Sequence, residues 1–152
     1  MTGSQTFPAL TRRIVDEHQQ IHFYLDQLRK SLEALGSRVE IETLRRLAAE
    51  IRGLKELLLE HFALEDDGGV FRAVVELLPE SRSDVDRLFR DHERVLETLE
   101  MASVGAQHGQ PSEAPVLRES LEGLLAALRD HEHREEALLA RALEREGSRS
   151  PR

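Results

Sequence analysis

Leucine, isoleucine and valine recur along this chain in alternating steps of three and four, the spacing that lines up side chains on one face of an α-helix. The first stripe runs Ile14, His18, Ile21, Leu25, Leu28, Leu32 and Leu35. It predicts a helix over residues 8–35, with Pro8 in the first turn, where a missing N–H costs nothing, and Gly36 as the stop. The second stripe is Leu44, Leu47, Ile51, Leu54, Leu58, His61 and Glu65; Ser37 with Glu40 reads as its capping box, and Asp66-Asp67-Gly68-Gly69 breaks it. A short amphipathic piece, Val70 to Leu78, ends at Pro79. Ser83 with Asp86 opens a third stripe of Val85, Leu88, His92, Val95, Leu99 and Ala102. Gly105 to Pro115, which holds His108, reads as a loop. The fourth stripe is Leu117, Leu121, Leu124, Leu128, His131, Glu135, Leu138 and Ala142.

A helix with one apolar face must bury it against others. Four such helices with short connections predict an all-α protein, an antiparallel up-down-up-down four-helix bundle over residues 8–146. Residues 1–7 and 147–152 are expected to be flexible ends. The 152-residue length suits one domain, and 33% charged with 4% aromatic residues suits a helical chain built on Leu, Ala, Glu and Arg.

Charge and cysteine content then narrow the classes. The net charge of −8 favours solubility and repels phosphate backbones, so no nucleic-acid partner is expected. No stretch approaches the ~20 apolar residues that span a bilayer, and Met-Thr-Gly-Ser-Gln at the start lacks a basic, then apolar, leader. The absence of cysteine excludes disulfides, iron–sulfur clusters and thiolate zinc sites. A cytoplasmic protein without membrane contact, monomeric or a weak homodimer, is the expectation.

The chemistry lies in what interrupts the stripes. His18, His61, His92 and His131 each stand where a leucine would be expected, one per helix. Glu65 and Glu135 follow His61 and His131 by four residues, on the same face and one turn along. Buried glutamate is rare unless paired or metal-bound, and a buried imidazole without partners costs roughly 1–3 kcal/mol. A cation satisfies all six together, and two ions bridged by Glu65 and Glu135 use every ligand. Imidazole and carboxylate without thiolate suit Fe, Mn, Zn, Ni or Co, with redox-active iron leading.

Neighbouring residues leave alternatives open. His22, one turn beyond His18, is either a further ligand or a rim histidine. Glu136 rivals Glu135, while His133 is expected outside and His108 away from the site. An acid precedes each stripe histidine (Glu17, Glu60, Asp91 and Asp130), as support for the ligands or only as a solvated flank. Tyr24 lies about 120° from the direction of His18 and receives no role. The residue three before each core histidine is never glutamate, so the Glu-x-x-His pattern of ferritin-like carboxylate proteins is absent.

The series His18 … His61-x-x-x-Glu65 … His92 … His131-x-x-x-Glu135, with the texts DEHQQIH, EHFALEDDGG, RDHERVL and DHEHREEALL, resembles the hemerythrin-like (HHE cation-binding) domain family over residues 10–145. The resemblance implies two non-haem Fe ions, oxo- or hydroxo-bridged, inside an antiparallel bundle. It implies metal ligation by His18, His61, His92 and His131, with or without His22, and bridging by Glu65 and Glu135. Oxygen-carrying hemerythrins have a second histidine on the third helix and a final His-x-x-x-x-Asp. Here Leu96 stands four residues after His92, and the last pair is His-x-x-x-Glu, which bears against simple reversible oxygen carriage. The function implied is binding of, and reaction with, small oxidants (hydrogen peroxide, O2 or NO), with catalase-like or NO-peroxidase-type peroxide decomposition in stress defence leading. The alternative is an O2-storage or iron/oxygen-sensing module without turnover. No catalytic residue is expected beyond the metal centre.

Overall fold

The computed structural model describes residues 5–36 and 38–149. Among them there is no strand; five α-helices follow one another: α1 (Phe7–Glu33), α2 (Ile41–Asp67), α3 (Val70–Leu77), α4 (Arg82–His108) and α5 (Ala114–Arg149). The four long helices are the four stripes, and α3 is the short amphipathic piece.

The helix ends show where local signals were overridden. Thr6 caps α1 through its hydroxyl, which accepts from the Ala9 N–H at 3.3 Å, so the helix begins at Phe7. It ends at Glu33, ahead of the expected stop at Gly36, because Leu35 leaves the helix yet stays buried in the core. Helix α2 starts at Ile41 with Glu40 in the capping position; Ser37, the other half of the expected box, lies outside the described residues. Gly69 at φ 82° supplies the left-handed step from α2 into α3, a conformation that costs other residues a Cβ clash. The expected Ser83–Asp86 box is not used: α4 follows directly from a single 3₁₀ turn at Pro79–Ser81, and the Ser81 hydroxyl turns back to donate to the Leu78 carbonyl at 2.6 Å.

Two longer departures occur at the far ends of α4 and α5. The stretch expected as a loop from Gly105 to Pro115 is largely helical: α4 runs on to His108, a 3₁₀ turn at Pro111–Glu113 follows, and α5 opens at Ala114. Ala106 is fully buried, and Arg45 of α2 donates to the carbonyls of Ala106 (2.9 Å) and Gly109 (3.0 Å), which would otherwise lack partners at a helix end. Helix α5 likewise passes 146, the expected limit of the bundle, and continues to Arg149, with the Ser148 hydroxyl donating to the Glu144 carbonyl at 3.1 Å.

Cross-helix contacts define the topology. Arg45 near the start of α2 reaches the end of α4, and Arg118 near the start of α5 donates to Leu35 beyond the end of α1 at 3.3 Å. At the opposite end Arg145 of α5 donates to the Leu77 carbonyl closing α3. The directions therefore alternate, and α1, α2, α4 and α5 pack as a closed ring in which each touches the next.

The core is split in two. One apolar cluster holds Ile21, Leu25, Leu28, Leu54, Leu58, Leu99 and Leu128 among others; a second, at the α3 end, holds Ile14, Phe71, Val74, Leu88, Leu138 and Leu139. Between them lies a buried polar layer: His18 between Ile14 and Ile21, His92 between Leu88 and Val95, and His131 with Glu135 between Leu128 and Leu138. Each fully buried aliphatic side chain contributes ~1.5–3 kcal/mol, so apolar clusters on both sides can carry a costly polar layer between them.

Candidate metal centre

Each long helix delivers its layer residue by the same logic: the stripe that buries leucines also buries whatever replaces one. His18 (α1), His61 and Glu65 (α2), His92 (α4), and His131 and Glu135 (α5) are all at most 2% exposed. Their donor atoms form two groups, His18–His61–Glu65–Glu135 and Glu65–His92–His131–Glu135, each spanning no more than 4.8 Å. Both carboxylates belong to both groups.

The geometry has a two-fold pattern. The second histidine of each half of the chain faces the glutamate of its own helix: His61 Nε2 lies 3.2 Å from Glu65 Oε1, and His131 Nε2 lies 3.2 Å from Glu135 Oε2. The first histidine of each half faces the other half's glutamate: His18 Nε2 lies 3.2 Å from Glu135 Oε1, and His92 Nε2 lies 3.3 Å from Glu65 Oε1. Phe62 stacks on the His92 ring at 4.0 Å between centroids and 8° between planes, closing that flank.

The outer ring nitrogens repeat the pattern. His61 Nδ1 is 3.0 Å from Glu17, His131 Nδ1 is 3.2 Å from Asp91, His92 Nδ1 is 3.0 Å from Asp66, and His18 Nδ1 is 3.1 Å from Glu136. An ionised carboxylate only accepts, so each Nδ1 donates. In the neutral imidazole the Nε2 lone pair is then free and points inward, the arrangement that orients histidine toward a metal ion. Arg134 adds a hydrogen bond to Asp91 at 2.9 Å.

Electrostatics follow from packing four imidazoles around two buried carboxylates. Burial disfavours the imidazolium of His18, but the close carboxylates of Glu135 and Glu65 outweigh it and raise the pKa to about 11. The same opposition raises His92 to about 10, and His61 and His131 are also raised. Burial favours the neutral form of Glu135, yet the close imidazoles of His131, His18 and His92 hold its carboxyl well below the usual range. Asp91 is lowered because His131 and Arg134 overcome its burial, whereas burial prevails at Asp66 and raises it. Without a cation, the layer holds its charges with protons.

The donor atoms suit a cation. His18 Nε2, His61 Nε2 and all four oxygens of Glu65 and Glu135 are buried without a well-formed hydrogen bond. His92 Nε2 and His131 Nε2 face each other at 3.1 Å, which for two lone pairs is repulsive unless a proton or cation stands between them. Two ligand atoms at right angles around an ion with bonds of about 2.1 Å lie ~3.0 Å apart, close to the spacing throughout the layer.

Six of the seven sequence-derived candidates thus converge, and His22 does not. His22 lies outside both groups, partly exposed, with Nε2 against the carboxylate of Glu132. Glu135, not Glu136, enters the layer; Glu136 supports His18 from outside. His133 is exposed, and so is His108, which lies at the end of α4 rather than in a loop. Of the four acids preceding histidines, Glu17 and Asp91 support the histidine of the next helix, not the one beside them, while Glu60 and Asp130 stay on the surface. Asp66 and Glu136, the acids after the layer glutamates, complete the set. Glu132 was missed altogether; it is 3% exposed, and its position four after Leu128 and three before Glu135 was the available signal.

No curated protein and no solved structure shows significant similarity to the chain. No helix among the described residues is long and apolar enough to cross a membrane. A layer of histidine and glutamate donors inside a four-helix bundle is what a cation-binding bundle requires, and the sequence model described as the Hemerythrin HHE cation binding domain matches residues 9–143; the chain belongs to that family.

Proposed function

We propose that the centre holds two non-haem iron ions and that the protein binds and reacts with small oxidants, with peroxide decomposition the leading activity. The observation that supports this reading is the pair of four-donor groups sharing both Glu65 and Glu135, with every carboxylate oxygen buried and lacking a well-formed hydrogen bond. Each ion would receive two imidazoles and a share of two carboxylates, a donor set that suits non-haem iron and leaves coordination positions free. When bound, such a pair supplies redox chemistry toward hydrogen peroxide, O2 or NO.

The protein's own part is to hold, orient and shield. Four outer carboxylates keep the Nε2 lone pairs aimed inward. Ile14, Ile21, Leu88, Leu128 and Phe62 keep bulk water from the layer, which strengthens every electrostatic interaction in it. The test is metal content and absorption spectrum of freshly purified protein, followed by oxygen evolution from added peroxide. Two irons per chain with rapid oxygen evolution are expected. A reversible spectral change with O2 and no turnover would replace this reading with oxygen storage, and colourless zinc protein would remove the redox chemistry.

A further inference from the structure

The layer is sealed at both ends by apolar clusters, so a hydrated cation must reach it from the side, between helices. Four seams are available, and each has a carboxylate at its rim. In two of them that carboxylate is paired with an arginine. Glu17, between α1 and α2, pairs with Arg13 at 3.3 Å, and Asp91, between α4 and α5, pairs with Arg134 at 2.9 Å; Asp66, toward α4, lines a groove with Arg72 and Arg82 but also with Glu76 and Asp86. A guanidinium paired with the rim acid opposes an incoming divalent ion at the first two seams.

The α1–α5 seam differs. Its rim acid is Glu136, at 3.1 Å from His18, and one helical turn away His22 meets Glu132. Among the described residues no lysine or arginine forms an ion pair with Glu136 or Glu132; the nearest such pair along the seam, Arg129 with Asp26 at 3.1 Å, lies a further turn off. Glu132 is 3% exposed, and both its oxygens are buried without a well-formed hydrogen bond, although the His22 ring reaches solvent. A carboxylate and an imidazole are thus set together, partly open to water, next to a rim acid that has no arginine or lysine partner among the described residues.

We propose that divalent cations reach the centre through the α1–α5 seam, with His22 and Glu132 as the transient chelating pair. The inference rests on the reading of the layer as a two-ion centre. From the pair, the layer is one turn away on both helices at once: His18 lies four residues before His22, and Glu135 three residues after Glu132. Neighbours at this spacing are ~5–6 Å apart on a helix face, so an ion can exchange water for His22 and Glu132, then exchange that pair for His18 and Glu135, without becoming bare in between.

The experiment is stopped-flow uptake of cobalt(II) by the metal-free full-length chain, followed by visible absorption, with final content measured separately. Glu132→Gln, which removes both a ligand and a charge that attracts the cation, should slow uptake about tenfold, and His22→Ala, which removes the other half of the chelating pair, should slow it as well, both filling to the same final content and spectrum. Arg129→Ala, which loosens the same seam without touching the pair and removes a positive charge, should not slow uptake. If Glu132→Gln fails to fold, His22→Ala decides, since that ring is already part exposed. Uptake that reaches two ions at a rate neither substitution changes, or that Arg129→Ala slows equally, overturns this inference alone. A wild-type chain that takes up no ion overturns it together with the two-ion reading.

Discussion

Glu65 and Glu135 are the residues on which the layer depends most, because a buried carboxylate is tolerated only beside a counter-charge, histidinium in the empty layer and a cation in the loaded one. Each belongs to both donor groups, so removing either should impair both candidate metal positions. Glu65→Ala is therefore expected to purify with little metal, whereas His133→Ala, on the exposed face of α5, should purify fully loaded. Equal metal loss in the two variants would contradict the face assignment. The outer carboxylates act more gently. Asp91→Asn keeps the shape but accepts from His131 Nδ1 less strongly, and outer partners of this kind are worth about 10–100-fold in metal affinity. Chelator competition should show that weakening with unchanged stoichiometry; an unchanged affinity would reduce Asp91 to a surface partner of Arg134. At this scale the sequence was informative about the layer because a histidine on a leucine stripe is conspicuous. It was uninformative about the outer acids because the chain has 29 acidic residues, and only the packing of neighbouring helices selects Asp66 and Glu136 over Glu60 and Asp130.

Helix contacts make their own demands. Gly53 of α2 faces Tyr24 of α1, whose hydroxyl donates to the Glu50 carbonyl at 2.9 Å, and a Cβ at Gly53 would collide with that hydroxyl. Alanine in a helix normally gains up to about 1 kcal/mol over glycine. Here Gly53→Ala is expected to destabilise by about 1 kcal/mol instead, since overpacking of about 1–3 kcal/mol outweighs the gain. In a Tyr24→Phe background the ring can shift without losing a hydrogen bond, so the same change should cost less. A Gly53→Ala midpoint at or above wild type in urea unfolding would refute the close approach. Arg45 tests the other kind of contact: Arg45→Ala leaves the carbonyls of Ala106 and Gly109 without their donor and should cost about 1–2 kcal/mol in the same assay. Arg45 also explains why the end of α4 was hard to read. Gly105 and Gly109 signal a loop locally, but an arginine 61 residues earlier in the chain and the burial of Ala106 against another helix extend the helix to His108. The stripes, by contrast, needed no distant information, because a period of 3.6 and the demand for an apolar partner already imply the bundle.

Across the whole molecule the chain reads as two similar halves. Glu17-His18 with His61-x-x-x-Glu65-Asp66 corresponds to Asp91-His92 with His131-x-x-x-Glu135-Glu136; each half makes the same contact within itself (Glu17 with His61, Asp91 with His131) and the same one to the other half (Asp66 with His92, Glu136 with His18). His18 and His92 hold equivalent places, each against the opposite glutamate, and their pKa values are raised alike, to about 11 and about 10. This symmetry makes the pH response of the metal-free fold a property of the layer, not of one residue. A group whose pKa is raised on folding stabilises the fold fully below its unfolded value, here 6.5, and loses that contribution as pH climbs through the folded values near 10 and 11. The urea midpoint of metal-free protein should therefore fall as pH rises from about 7 toward 10. A metal ion takes the same Nε2 lone pairs, so loading must expel the protons, and metal affinity should rise over the pH range in which the empty fold weakens. Adding metal to weakly buffered protein near neutral pH should accordingly release at least one proton per ion, read with a pH indicator, since His18 and His92 belong to different donor groups. A metal-free midpoint that rises with pH, or loading without proton release, would mean that the layer is not held together by histidinium–carboxylate pairs. The charge balance between four imidazoles and two buried glutamates would then need a different explanation.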